Sequence, residues 1–190
     1  MRFFLSVFRS YKIAGHFQNG RRSFLAERFQ EALAHFEKAA RCDADYVFES
    51  GLFRQGIWTY IGRSQYNLRR LADARTSLER ALNSCKDDPL ARLYLGLTLA
   101  RRGDEANGGR AIEAGMKGLH EWLEYVNVNR PFEAFWDPQR EIRSAIENSL
   151  AMISSNKIDR QELISRGESV GQRMENEIDY VRREASRPND

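Results

Sequence analysis

Hydrophobic residues recur every three or four positions along most of this chain, which is the spacing of one face of an α-helix. The clearest segments run from Phe29 to Ala40, from Trp58 to Ala81 and from Leu90 to Leu99. Stretches that contain Asp, Gly or Pro separate them, and these residues favour turns and helix ends. The pattern predicts an all-α fold built from successive helical hairpins.

A short cassette, Ala-x3-(Phe or Leu)-x2-Ala, occurs twice, each time beginning twelve residues after a glycine. The two sets are Gly20 with Ala32, Phe36 and Ala39, and Gly62 with Ala74, Leu78 and Ala81. A third glycine, Gly96, follows Gly62 by 34 residues. Small residues allow two helices to approach closely, so the cassettes predict where the helices of a hairpin touch. Gly115 and Gly118 predict a further close approach, by Trp122 or by the next helix.

Residues about 13 to 119 resemble tetratricopeptide repeats. Trp58, Ile61, Gly62 and Tyr66 resemble the Trp-x2-Leu-Gly-x2-Tyr signature, with the tyrosine one place late, and the two cassettes resemble the Ala-x3-Phe-x2-Ala part of the motif. The resemblance implies a right-handed α-solenoid whose first helices line a concave, peptide-binding groove. Residues 1–123 are then expected to form the repeats, with the N-terminal helix merging into the first. Residues 124–190 are expected to form a helical extension that packs on or caps the solenoid.

The resemblance also implies which side chains line the groove. They are Phe17, Arg21, Thr59, Arg63, Tyr66, Asn67, Leu93, Leu97 and Arg101. The three arginines are spaced by 42 and 38 residues, so they are expected either to form a basic ladder for an acidic or C-terminal peptide or to lie on a solvated face. Some family members clamp the C-terminal carboxylates of a chaperone tail with a Lys and an Asn of the first repeat. Phe17 and Arg21 stand at those positions in this chain, which disfavours a chaperone tail as the ligand.

Two regions depart from the repeat. The linker between the first two hairpins carries eight extra residues, within Asp43–Arg54, which predict a longer loop or an extension of the following helix. Beyond residue 120 lies an aromatic cluster, consisting of Trp122, Tyr125, Phe132, Phe135 and Trp136. Asp137 and Pro138 then predict the N-cap and first turn of a helix that runs to about Ile153.

The last predicted helix, residues 160–186, has one apolar stripe that includes Gly167 and Gly171. This stripe is expected to cap the repeats, and the alternative is homo-oligomerisation by pairing with a second copy. The tail after it, residues 186–190, is expected to fray.

Charge gives only a weak indication of the partner, since 30 Lys and Arg stand against 27 Asp and Glu, for a net charge of +3. A protein or peptide partner, with a modest bias toward acidic ones, follows from this balance. The basic doublets are interspersed with acidic or apolar groups and no strand is evident, so nucleic acid is not expected.

The N-terminal segment, with Phe4, Val7 and Phe8 between Arg2 and Arg9, predicts either a helix packed on the first hairpin or an amphipathic segment in a membrane interface. No stretch approaches the roughly 18 apolar residues of a membrane-spanning helix. A cytoplasmic protein, or one held weakly at a membrane, is the expected location.

No pattern in the chain indicates catalysis, a metal or a cofactor. His16, His35 and His120 are dispersed, and His120-Glu121 lacks the second histidine of a zinc-protease helix. Glycine-rich segments lack the preceding strand and the Lys-Ser/Thr pair of a phosphate loop. Cys42 and Cys85 fall just past the two cassettes and are expected to be structural thiols. The sequence therefore predicts a non-enzymatic scaffold or adaptor.

Overall fold

The computed structural model describes residues 2–50, 53–129, 135–155 and 158–185, with side chains from Tyr11 onward. Within these residues it contains eight helices and one two-stranded sheet. The elements are α1 (Arg2–Leu25), α2 (Phe29–Cys42), β1 (Val47–Ser50), β2 (Phe53–Gly56), α3 (Ile57–Asn67), α4 (Leu71–Ser84), α5 (Pro89–Arg101), α6 (Glu105–Asn129), α7 (Glu141–Ser154) and α8 (Arg160–Ala185). The predicted all-α class is confirmed, with the small sheet as an addition. The side chains of Phe4, Val7 and Phe8, the residue Phe132 and the tail 186–190 lie outside the described part.

The first six helices form three consecutive pairs, and a glycine of the first helix touches the second helix in each. The pairs are Gly20 with Phe36, Gly62 with Leu78 and Gly96 with Ile112, where a Cβ on the glycine would lie 2.6, 2.5 and 2.4 Å from the nearest atom of its neighbour. Carbon atoms do not approach so closely, so each position requires a residue without a Cβ. In the first two pairs the touched residue belongs to the cassette, so the cassettes lie where the two helices meet, as predicted.

The turn inside each pair also repeats. Seven residues after each of these glycines, a residue adopts a positive φ: Glu27 at 57°, Arg69 at 61° and Gly103 at 95°. The following backbone N–H donates to the carbonyl five residues earlier, from Arg28 to Ser23 at 2.8 Å, Arg70 to Gln65 at 2.9 Å and Asp104 to Leu99 at 3.0 Å. This is the left-handed helix C-terminal turn that closes a helix and redirects the chain. The three hairpins therefore share one local geometry.

The chain divides into two compact units, one comprising Met1–Phe48 and Gln55–Lys86 and the other Glu49–Arg54 and Asp87–Asp190. The division falls between the second and third hairpins, inside the region predicted to form the repeats. We call them unit 1 and unit 2 and describe each by itself.

The core of unit 1 is built from aromatic rings. Phe17 of α1 lies 5.5 Å from the ring of Phe36 in α2 and 5.0 Å, edge-on, from Tyr60 in α3. All three side chains are fully buried. Tilted and edge-on ring pairs at these distances add to the free energy gained from burying apolar area. The first three helices are thus joined through one aromatic cluster.

The extra residues between the first two hairpins form a β-hairpin, so the expectation of a loop or an extended helix was wrong. Burial alternates along β1, with Phe48 and Ser50 buried and Val47 and Glu49 exposed. An alternation of period two suits a strand with one covered face and does not fit a helix. An ion pair of 2.9 Å joins Glu49 to Arg54 of β2 on the exposed face.

In unit 2, α5 and α6 pack backbone against backbone. A Cβ at Gly115 would lie 2.6 Å from the Leu93 nitrogen, and one at Gly108 would lie 2.6 Å from the Ala100 nitrogen. The close approach predicted at Gly115 is confirmed, but the neighbour is the preceding helix, α5, rather than Trp122 or the following helix.

Candidate functional site

The nine side chains expected to line a groove lie mostly in the protein interior. Seven of them are buried, with relative exposures of 0–2%, and the other two, Asn67 and Arg101, are partly exposed. The seven are Phe17, Arg21, Thr59, Arg63, Tyr66, Leu93 and Leu97. Different contacts bury these side chains in unit 1 and in unit 2.

In unit 1, the segment that leads into β1 covers the α1 side chains that were expected to face a ligand. The Phe48 ring of β1 lies 5.0 Å from the Phe17 ring, and the Arg21 guanidinium lies 4.8 Å above the Phe48 ring. Tyr46, just before β1, also contacts Phe17, with their rings 5.1 Å apart. Tyr46 and Phe48 therefore occupy the surface of α1 that carries Phe17 and Arg21.

Arg63 of α3 is enclosed in a similar way. Its guanidinium lies 4.8 Å from the Phe24 ring centre and 5.4 Å from that of Tyr60, and the residue is 0% exposed. A guanidinium tolerates such stacking better than an ammonium because it is planar and weakly hydrated. Neither Arg21 nor Arg63 lies on a solvated face, which was one of the two expectations for the arginines.

In unit 2, helix α8 lies on the α5 residues that were expected to face a ligand. A Cβ at Gly167 would lie 2.9 Å from Leu97 Cδ2, and one at Gly171 would lie 2.7 Å from Tyr94 Cε2. Arg101 of α5 forms an ion pair with Glu168 of α8. Gly167 and Gly171, which were expected either to cap the repeats or to pair with a second copy, thus contact α5 of the same chain.

A buried polar cluster at the start of α7 was not anticipated. Asp137 has a positive φ of 49°, and its carboxylate accepts from the N–H groups of Ile142 at 2.9 Å and Arg143 at 3.0 Å. The Arg143 side chain returns to Asp137 and also bonds Glu124 of α6. The prediction of Asp137 as N-cap was wrong, because Arg140 holds that position and α7 begins at Glu141 instead of Pro138. The Asp137 carboxylate reaches the first-turn N–H groups from outside the helix.

A cavity of about 440 Å³ opens between the start of α7 and the second half of α8. Glu177, on its wall, accepts a hydrogen bond of 2.6 Å from the Asp137 backbone N–H. Burial raises the pKa of Glu177, and the negative charge of Asp137 adds to that increase, while the backbone hydrogen bond opposes it. Across the opening, Arg173 pairs with Glu141 at 3.1 Å. The wall combines both signs of charge and shows no nucleophile paired with a base.

The aromatic cluster predicted beyond residue 120 has an inner and an outer part. Inside, the Trp122 and Trp136 rings lie edge-on at 4.7 Å, and Phe53 of β2 contacts Trp122 at 4.7 Å. Outside, Tyr125, Val128 and Phe135 are 59%, 72% and 61% exposed, and we call these three residues the aromatic edge.

Asn127 fixes the position of the aromatic edge. Its side-chain amide donates to the Trp136 carbonyl at 2.8 Å and accepts from the Trp136 N–H at 3.2 Å. Phe135 is thereby held beside the end of α6, which carries the other two apolar side chains. Apolar side chains exposed together are a common mark of a protein-binding surface.

The described residues hold no group of three or more His, Cys, Asp or Glu side chains that suits a metal ion. His120 bonds Glu147 at 2.9 Å, while His16 and His35, which the sequence separates widely, lie side by side with ring centres 6.1 Å apart. Cys42 and Cys85 are partly buried. Among the described helices, none has the length and apolar character needed to cross a bilayer.

Comparison with protein-family models, with curated proteins and with solved structures gives no match to this chain.

Proposed function

We propose that the chain is a non-enzymatic helical-repeat scaffold, of the tetratricopeptide type, that binds a segment of another protein. The observation that carries the proposal is the threefold recurrence of one turn geometry and one glycine contact along α1–α6. Stacked helix pairs of this kind present extended surfaces, and their common use in proteins is to hold a partner. The resemblance of Trp58, Gly62 and the two cassettes to the repeat signature supports the same function.

The surface that we propose for the partner is the aromatic edge, rather than the first-helix groove that the family resemblance implies. Most of the groove side chains are buried by the chain itself. The aromatic edge instead exposes two aromatic rings and a valine. Two hydrogen bonds between the Asn127 side chain and the Trp136 backbone hold Phe135 in place beside α6. Tyr and Phe are enriched at the centres of protein interfaces, where they supply large contact area at a low cost in side-chain entropy.

The test begins with a variant in which Tyr125, Val128 and Phe135 are all replaced by Ser. Proteins captured by the wild type and lost from this variant are purified, and their affinity for both forms is measured by calorimetry. We expect the purified partner to bind the variant at least about tenfold more weakly, because loss of one well-packed interface aromatic alone costs more than about 1 kcal/mol.

The matched control replaces three other exposed apolar residues, Tyr11, Val47 and Tyr180, by Ser. This control is expected to bind the purified partner like the wild type. A partner that binds both triple variants and the wild type equally would show that the aromatic edge is not the surface. If the wild type binds no purified protein, the scaffold function itself is wrong.

A further inference from the structure

The first helix of the protein carries positive charge with no compensating acid. Residues 1–26 contain five Lys and Arg residues, and the first acidic residue of the chain is Glu27. Of these five, Lys12 and Arg22 are exposed and Arg21 is buried. In a chain that is nearly balanced overall, this concentration of one sign is local to α1.

Helix α2 adds its own cations to the same side of unit 1. Lys12 and His16 are four residues apart on α1, and His35, Lys38 and Arg41 follow at intervals of three on α2. Residues three or four apart are neighbours on a helix surface. The 6.1 Å separation of the His16 and His35 rings joins the two sets across the helices. We call these five residues the basic face.

The carboxylates nearest in sequence offset the basic face only in part. Glu31 of α2 pairs with Arg28 at 3.3 Å and also accepts from Ser23. Glu37 lies four residues before Arg41 on α2 and is therefore its neighbour on the helix surface, where it offsets part of the positive charge. Burial lowers the pKa of His16, and the charges of His35, Lys38, Lys12 and Arg41 lower it further. No carboxylate is among the groups that act on His16.

The cations of the basic face are available to a flat surface. Lys12, Lys38 and Arg41 are exposed, and Tyr11, next to Lys12, is 83% exposed. Tyrosine beside lysine is the combination that sits at the level of lipid headgroups, with the ring in the interface and the ammonium at the phosphates.

From this charge complementarity we infer that the basic face docks onto an anionic lipid bilayer. The bilayer is a second binding partner, separate from the protein segment proposed above. Attraction between clustered Lys or Arg and anionic headgroups supplies the binding, and it weakens with salt because the charges are screened. No helix insertion across the bilayer is involved.

The experiment is co-sedimentation of the full chain with vesicles of phosphatidylcholine alone or with 30% phosphatidylserine, at low and high salt. The test variant carries Lys12→Glu, Lys38→Glu and Arg41→Glu. We expect the wild type to bind only the anionic vesicles, to be released by salt, and to bind more than about tenfold better than the test variant.

The matched control carries Arg102→Glu, Arg110→Glu and Lys117→Glu, three exposed cations of unit 2. Both triple variants change the formal net charge from +3 to −3, so a general effect of net charge would weaken binding equally in both. Circular dichroism melting establishes that each variant is folded. Binding by the control at the wild-type level, with loss only in the test variant, supports the inference.

Three results would overturn it: no binding of the wild type to anionic vesicles at low salt, equal binding by the test variant, or equal loss in the control. Poly-glutamate separates a lipid surface from an acidic polypeptide. If poly-glutamate binds the basic face while anionic vesicles do not, the occupant is an acidic protein segment and the bilayer inference is wrong.

Discussion

Gly115 of α6 lies directly against the backbone of Leu93 in α5, where a Cβ on the glycine would stand 2.6 Å from the Leu93 nitrogen. A backbone atom cannot move aside as a flexible side chain can, so an added methyl group must separate the two helices. We expect Gly115→Ala to lower the free energy of unfolding by about 1–3 kcal/mol, measured by urea denaturation, despite alanine's better helix propensity.

Gly109 on the same helix is the matched control. A Cβ there would lie 3.9 Å from Leu163 Cδ2, which is ordinary van der Waals contact. Gly109→Ala therefore gains helix propensity without a clash and is expected to raise stability by up to about 1 kcal/mol. Equal effects of the two substitutions would show that α5 and α6 do not pack through Gly115.

The repeated left-handed turn leads to a second prediction. Substitutions at equivalent positions of two hairpins are expected to change stability in opposite directions. Arg69 and Gly103 occupy the same place in the second and third hairpins, with φ of 61° and 95°. A side chain in this region costs about 1 kcal/mol, so Arg69→Gly is expected to stabilise the protein by about 0.5 kcal/mol and Gly103→Ala to destabilise it by about 1 kcal/mol.

Thermal melting of these variants measures both effects, and Gly15→Ala serves as their control. Gly15 lies within α1 and has open space where its Cβ would be, so the same chemical change should stabilise there. A Gly103→Ala variant as stable as the wild type would contradict the shared turn geometry.

The helix contacts were predictable from sequence because the signal is local and geometric. A glycine opposite a Phe or Leu cassette at a fixed spacing predicts where two consecutive helices meet, and the contacts of Gly20 and Gly62 follow it. The β-hairpin was not predictable in this way, because the alternation along Val47–Ser50 is one of burial and not of residue type. Two apolar residues followed by two polar ones do not indicate a strand.

What covers the first helices was not predictable in the same way. Arginine side chains are mostly exposed in proteins, and the placement of Phe48 and Phe24 beside Arg21 and Arg63 accounts for their burial here. For Leu97, the covering residue is Gly167, 70 positions later in the chain. Such contacts depend on the tertiary fold, which local periodicity does not encode.

The partly buried carboxyl group of Glu177 predicts how the stability of the fold depends on pH. Its folded-state pKa is raised above the ordinary value of 4.5, mainly by burial, so the folded protein holds this proton more tightly than the unfolded chain. Stability is therefore lost as pH rises from below 4.5 through the raised pKa. Glu177→Gln keeps an oxygen for the Asp137 N–H and removes the charge, so we expect it to be more stable than the wild type at pH 7 and to converge with it at pH 4.

The melting temperatures of both proteins at the two pH values check this prediction. Glu141→Gln is the control, because Glu141 faces the same cavity but is mostly exposed and loses only a surface ion pair with Arg173. Its effect should stay within about 1 kcal/mol. A Glu177→Gln variant that is less stable than the wild type at pH 7 would show that the ionised carboxylate stabilises the fold.

Phe48 tests whether the beginning of β1 is an integral part of unit 1. Its ring contacts Phe17 and the Arg21 guanidinium and is 4% exposed, whereas Val47, on the other face of the strand, is 39% exposed. Phe48→Ala removes the cover over a buried aromatic ring and a buried cation, and is expected to cost about 3–5 kcal/mol in urea denaturation, against less than about 0.5 kcal/mol for Val47→Ala. If both substitutions lower the free energy of unfolding equally little, Phe48 packs only weakly on α1, and Phe17 and Arg21 are then accessible to a ligand. A large cost at Phe48 alone means that a peptide reaches those two side chains only by displacing part of the core.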